Sequence, residues 1–364
     1  MIDFIPLEIY YALYIYISLT IVLLTVFHSA VLRLDSPKNI IYTKSVGLTL
    51  LITIIIFMGL RPISGYYFTD MRTYARHFEH YELGGSLLTD KDIVFHSFMK
   101  LSAKILTIHQ FFLLCCAIYI YPMYRISKVY FKNYWFYSFL LLIVSLSFWT
   151  YGVNGIRNGM ATSFFLWAMT YRDKSLPQIL FLTAAVLFHQ TLLLPVGAFF
   201  IAKYFTNVKV FSVFWLSAIP LSIALGGFWE SLFISVGFAD PRLESYLSGS
   251  VNNSFRFDFL IYSAAAILLG WYFIFIRKFK DKTFNSLFIT YLICNAFWIL
   301  VIRASFSNRF AYLSWFLMAV IIIYPILKDK TLIRKRKLFL NSAVLFYFLF
   351  TYFMYAVYYA EPEL

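Results

Sequence analysis

Apolar runs of roughly 18 or more residues recur along the whole chain, and this feature decides its solvent. In lipid every backbone polar group must be satisfied internally, so only helices and closed barrels span a membrane. Barrel strands are short and alternate apolar with polar residues; these runs are continuous. The chain therefore reads as an all-α polytopic integral membrane protein. Its composition agrees: 62% of 364 residues are hydrophobic and 13% charged, far from the make-up of a soluble domain. Apolar segments lie at 8–32, 43–60, 105–123, 134–152, 157–171, 177–188, 190–203, 210–226, 258–276, 284–302, 310–327 and 338–359. The expected architecture is about ten full spans plus a short helical hairpin, forming one transmembrane domain over 1–364. The N-terminus carries Asp3 and Glu8 and lacks a basic n-region, so the first run reads as a span, not a cleaved signal peptide.

A net charge of +14 invites a nucleic-acid reading, which the distribution of charge excludes. The basic residues form no single patch; they sort into short connections between spans, as the positive-inside rule requires. Arg33, Lys38 and Lys44 mark one connection, Arg125, Lys128 and Lys132 a second, and Arg172 and Lys174 a third. Lys203 and Lys209, Arg277 to Lys282, and Lys328 to Lys337 mark the others. One region is ambiguous, because 177–203 reads as either one long span or a hairpin turning near Phe188-His189-Gln190. The hairpin places 20 of the 31 Lys and Arg on the cytoplasmic side with four of the 17 acids, leaving 11 and 13 outside. A single span puts the two most basic loops outside, so the hairpin is preferred. Both termini then face out, as do two long loops, 61–104 and 227–257. Within the first, Asp92–Lys104 has an amphipathic pattern suited either to an interfacial helix or to the wet end of the next span. Cys115, Cys116 and Cys294 lie inside apolar runs and form neither a disulfide framework nor a zinc pattern.

The outer turns carry the residues that membrane packing does not explain. Gly152-Val153-Asn154-Gly155-Ile156-Arg157-Asn158-Gly159-Met160-Ala161 places an arginine, two asparagines and glycines between two apolar runs. An arginine at membrane depth is a functional candidate by default; the plain alternative is a side chain reaching for lipid headgroups. The glycines favour close approach of an anion to a helix start. Asp70, Tyr74 and His77 fall at i, i+4 and i+7, on one helical face. His189 at the hairpin tip is either a core histidine or a general base. Arg303 and Arg309 bracket another outer turn. Arg242 with Glu244 and Arg256 with Asp258 read as simple ion pairs. Arg61, Arg157, Arg303 and Arg309 thus share one face, and the arginine fork matches phosphate oxygens. That pattern points to a lipid diphosphate, and no Asp-rich motif accompanies it to hold Mg²⁺.

Taken in order, Arg61…Gly65…Thr69-Asp70…Tyr74…Phe78, then Arg157-Asn158-Gly159-Met160-Ala161, then Phe188-His189-Gln190-Thr191, then Asn308-Arg309-Phe310-Ala311-Tyr312 resemble the EpsG-like branch of the Wzy polysaccharide polymerases. The resemblance covers about residues 55–315. Phe68, Met71 and Asn158 depart from the family pattern, which often has glycine, tyrosine and glutamine there. The resemblance implies a GT-C-like glycosyltransferase of the bacterial inner membrane with its active site facing the periplasm. It implies undecaprenyl-diphosphate-linked oligosaccharides as donor and acceptor, no metal or other cofactor, and work beside a flippase and a chain-length regulator in O-antigen, capsule or exopolysaccharide synthesis. On this reading Arg61, Arg157, Arg303 and Arg309 bind the donor diphosphate. Asp70 or His189 takes the acceptor proton, with Asp70 slightly favoured. Tyr74, His77, Asn158 and Tyr312 position the substrate. A ligase of the same chemistry and a lipid-linked oligosaccharide flippase are the rivals, with a glycan acyltransferase behind them. Charge confined to the faces, not lining a midplane path, favours the enzyme over a transporter.

Overall fold

The computed structural model describes residues 2–89, 92–172, 174–233, 255–304 and 307–358. Arg242 and Glu244, most of the expected loop 227–257, Asp173, Ser305 and Phe306 lie outside the described residues. Every regular element among those described is helical. The helices are α1 (Tyr10–Val31), α2 (Pro37–Gly59), α3 (Met71–Glu82), α4 (Ile93–Ser102), α5 (Ile108–Phe131), α6 (Trp135–Ile143), α7 (Leu146–Val153), α8 (Ile156–Met169), α9 (Ser175–Phe188), α10 (Leu193–Tyr204), α11 (Val208–Phe233), α12 (Phe257–Trp271), α13 (Lys282–Leu300), α14 (Asn308–Lys328) and α15 (Arg336–Tyr358). They divide into two compact units, Met1–Gln190 with Ile326–Leu364, and Thr191–Pro325. No compositional break in the sequence announces that division.

Local signals set several boundaries. The Ser36 hydroxyl accepts from Asn39 N–H, and Pro37 opens α2 where its missing donor is not needed. Thr107 and Gln110 form a reciprocal capping box at the start of α5. The Asp281 carboxylate accepts from the amides of Thr283 and Phe284 at α13. Among the described residues, eight helices or helix pairs are long and apolar enough to cross a membrane, so the polytopic helical class holds. The expected spans at 134–152 and 157–171 are not among them as continuous helices. The first breaks at Val144-Ser145 into α6 and α7. The second is α8, whose 14 residues rise only about 21 Å at 1.5 Å each.

The α6–α7 break sits in the interior of the first unit, where orphan carbonyls are costly. They are answered from other helices: Tyr14 Oη donates to Ile143 O at 2.6 Å and Thr351 Oγ1 to Val144 O at 3.1 Å. Around it, α5 packs on α2, α6 and α8, α8 packs on α9, and α1 packs on α15. In α8, a Cβ on Gly159 would stand 2.7 Å from the carbonyl oxygen of Tyr151, so glycine lets α8 seat closely against α7. The basic connections gather at one end of this unit. Arg125 donates to Thr170 Oγ1 and Tyr171 Oη, Lys337 Nζ donates to Ala30 O, and Arg336 lies over the Tyr134 ring. Since α2, α5, α8 and α9 each run away from that end, the polar turns at their other termini sit at the opposite end of the unit.

The second unit is built on α13, which packs on α10 and α11. Inside it, Trp215 Nε1 donates to Asn295 Oδ1 at 2.8 Å, and Asn295 Nδ2 donates to Ser314 Oγ at 3.0 Å. The helix break expected at His189 is present, with His189 extended (φ −154°, ψ 114°) after α9. The two limbs keep different company: α9 packs on α8 and α4, α10 on α13.

Candidate functional site

The end of the first unit away from its basic loops holds a coupled charge cluster. Arg157, the second residue of α8, donates from Nη1 to Asp92 Oδ2 at 2.9 Å. His189 Nδ1 lies 3.1 Å from the same oxygen, and Gln190 N–H donates to Asp92 Oδ1 at 3.2 Å. Three donors from α8 and the α9 terminus thus converge on one carboxylate. The Asp92 side chain is 8% exposed, against 24% for Arg157 and 21% for His189, so the anion lies inside and its partners reach toward solvent.

Each partner is placed by a helix end. Gly155 precedes α8 without a side-chain cap, so α8 presents Arg157 in its uncapped first turn. Extended backbone at His189 ends α9 and frees its ring. Asp92 occupies the residue before α4 but does not cap it. It sits in the left-handed region (φ 50°, ψ 39°), and its carboxylate is spent on Arg157, His189 and Gln190.

The α3 face read from the sequence meets the same guanidinium. Arg157 feels the charge of Asp70 and the Tyr74 phenol. Tyr74 is 7% exposed; burial raises its pKa while Arg157 opposes the rise. Burial lowers the pKa of His77, and the neighbouring Arg157 and His80 lower it further. His96, on α4, is pushed down to about 4 by burial, then by Arg157 and His77, with Asp92 pulling the other way; it is neutral at physiological pH. Its Nδ1 is 2.9 Å from Tyr81 Oη, which also accepts from Leu88 N–H. Burial works against ionisation of Asp92, but His189, Arg157 and the Gln190 amide together outweigh it and hold the carboxyl below its usual value. Arg157 Nε, His77 Nδ1 and Asn158 Oδ1 are shielded from solvent and have no protein partner among the described residues.

Among the sequence candidates, then, Asp70, Tyr74, His77, Arg157 and His189 come together, with Asn158 next to Arg157 in α8. Arg61 does not fit its expected role in diphosphate binding. It is 1% exposed, donates from Nη1 to Met58 O and from Nη2 to Val153 O at 2.9 Å, and is packed against the Phe68 and Phe112 rings. A guanidinium so committed pins the ends of α2 and α7 to each other, directly before the turn that leads into Arg157. Arg303, Arg309 and Tyr312 belong to the second unit. There Arg303 Nη2 lies 3.5 Å from Ile223 O, Arg309 is exposed, and Tyr312 Oη accepts from Asn308 Nδ2 at 3.5 Å. Arg256 and Asp258 form the simple ion pair expected, at 2.7 Å. Asp92, His96 and Tyr81 were not among the sequence candidates. The sequence shows the segment from Asp92 only as an amphipathic stretch; α4 does exist, but its apolar face docks on protein, with Phe95 against Tyr74 and Phe188.

These features define a polytopic helical membrane protein with a guanidinium–carboxylate–imidazole cluster at one end of its first unit. The EpsG family model matches residues 46–362, and the chain belongs to the EpsG family, which makes it a polysaccharide-polymerase-like membrane protein. No curated protein and no solved structure matches the chain.

Proposed function

We propose that the protein is a glycosyltransferase of GT-C-like architecture that polymerises polyprenyl-diphosphate-linked oligosaccharide units at the outer face of the bacterial inner membrane. The observation that carries this reading is the Arg157–Asp92–His189 cluster, in a member of the EpsG family. With the basic loops in the cytoplasm, this cluster faces the periplasm, where lipid-linked units are displayed. Arg157 binds the donor diphosphate and stabilises it as it leaves. Asp92 fixes the His189 ring through Nδ1, so that Nε2 exchanges the proton. An acceptor hydroxyl attacks the anomeric carbon and loses its proton to Nε2. The bond from that carbon to the diphosphate oxygen breaks, and its electron pair departs with the diphosphate. This makes His189 a better base than Asp70, whose charge supports Arg157 from the α3 side. Tyr74, His77 and Asn158 position the sugar, and the shielded His77 Nδ1 and Asn158 Oδ1 are suited to its hydroxyls.

The test is the glycan profile of a strain lacking this gene, complemented with wild type or Arg157→Ala. Loss of the long-chain ladder, with a single repeat unit still mounted on its final carrier, is the expected result. Loss of that single unit as well would turn the reading toward a flippase or ligase.

A further inference from the structure

In this structure the anion held by Arg157 is the protein's own. We infer that Asp92 is an internal stand-in for the donor diphosphate. It occupies Arg157 until a diphosphate displaces it, and the exchange leaves Asp92 to His189 and the Gln190 amide. This inference rests on the reading of Arg157 as the diphosphate site.

Three observations carry it. First, Asp92 uses one oxygen, Oδ2, for both Arg157 (2.9 Å) and His189 (3.1 Å), while Oδ1 takes the Gln190 amide. Losing Arg157 therefore leaves a carboxylate still anchored at both oxygens, so the exchange strands no buried charge. Second, Asp92 is held in a way its own backbone does not favour. A left-handed φ of 50° is uncommon for a side-chain-bearing residue. An aspartate before a helix normally accepts from the first-turn amides, and this one makes no such cap. Its conformation is sustained by its partners, and each partner it releases weakens the hold. Third, the Arg157 side chain remains 24% exposed while it holds Asp92, so an incoming phosphate can reach the guanidinium before Asp92 lets go, and the shielded Nε has no protein partner to give up.

The consequence is a link between the two substrates. While Asp92 is shared, its charge is divided between a permanent cation and an imidazole. Once diphosphate takes Arg157, the undivided carboxylate makes His189 the stronger base. Acceptor activation then waits on a loaded donor, which guards the lipid-linked unit against water attack in its absence.

An internal competitor lowers apparent affinity by the fraction of molecules in which it holds the site. If Asp92 holds Arg157 in about nine molecules of ten, its removal tightens ligand binding about tenfold. The experiment is equilibrium binding of farnesyl diphosphate to the full chain in lipid nanodiscs, for wild type, Asp92→Asn, Asp92→Ala and Arg157→Ala, alongside polymerisation rate. The expected result is tighter binding in both Asp92 variants, with slower turnover, and loss of binding in Arg157→Ala. Unchanged or weaker binding in both Asp92 variants, with binding still dependent on Arg157, overturns the stand-in and leaves the diphosphate site intact. Equal binding by wild type and Arg157→Ala overturns the diphosphate site itself. Two Asp92 variants keep the test sound: asparagine retains the shape and a hydrogen bond to His189, so a folding defect in alanine alone does not decide it.

Discussion

At the residue scale, the identity of the cation at 157 matters more than its charge. Arginine offers a planar fork that meets two phosphate oxygens at once, and lysine offers a single point charge. Arg157→Lys should therefore lower polymerisation roughly tenfold to a hundredfold while the protein remains folded, and near-normal chain growth in that variant would remove Arg157 from the reaction. The histidines behind it give a pH signature. His96 has a folded pKa of about 4 against roughly 6.5 in the unfolded chain. Between those values the unfolded state binds more protons, so stability falls as pH falls from about 6.5 toward 4. Asp92, also depressed in the folded state, acts in the same direction but in a lower window: its contribution is complete above its unfolded value of roughly 3.9 and disappears only as pH falls below that. Thermal unfolding of wild type should thus lose stability across the upper window, and His96→Gln should flatten that loss; an unchanged slope would show that His96 is not the titrating group. Much of this site was legible beforehand. Arg157, His189 and the Asp70, Tyr74 and His77 face are visible as polar residues in places where packing asks for none. Asp92 was not, because an acid ahead of an amphipathic helix looks like an ordinary cap, and only tertiary contact shows its oxygens turned away from the helix it precedes.

At the scale of elements, the helices fall where hydropathy places them, and the discrepancies occur where tertiary contacts replace local rules. The break at Val144-Ser145 has no proline or glycine to announce it. It exists because Tyr14 and Thr351 supply donors to the carbonyls it leaves open, and those donors lie far away in sequence. The glycines near Arg157 were legible as a need for close approach, but at Gly159 the approaching group is the backbone of α7, not a ligand. Two substitutions separate these cases. Gly159→Ala puts a methyl against the Tyr151 carbonyl, a backbone atom that moves only with its helix. It should cost about 1–3 kcal/mol and shift Arg157. Gly152→Ala meets chiefly the terminal methyl of Met58, the end of a flexible side chain, and should cost less. Denaturation midpoints of the two variants in the same detergent check the order; equal losses would mean that the close seating of α8 on α7 is not what Gly159 provides.

At the scale of the whole molecule, sidedness is the property on which the proposed chemistry depends, and the proposed orientation rests on charge. The first unit has its basic connections at one end and the Arg157 cluster at the other, so the orientation proposed above is the one with these lysines and arginines in the cytoplasm and the site outside. Hydropathy alone leaves this open, since a long apolar run reads equally well in either direction. Basic residues break the symmetry because translocating them is disfavoured. The three cysteines are all buried, which makes the wild-type protein a silent background for labelling. Tyr66, between α2 and α3, is 83% exposed and Ile333, before α15, is 67% exposed. In spheroplasts, Tyr66→Cys should react with a membrane-impermeant maleimide at once, whereas Ile333→Cys should react only after permeabilisation. The reverse pattern would place the Arg157 cluster in the cytoplasm, where lipid-linked units have not yet been flipped, and would end the polymerase reading. Labelling of both positions from outside would instead mean that the two ends of the first unit share one side of the membrane, which the helices joining them could satisfy only by lying along its surface.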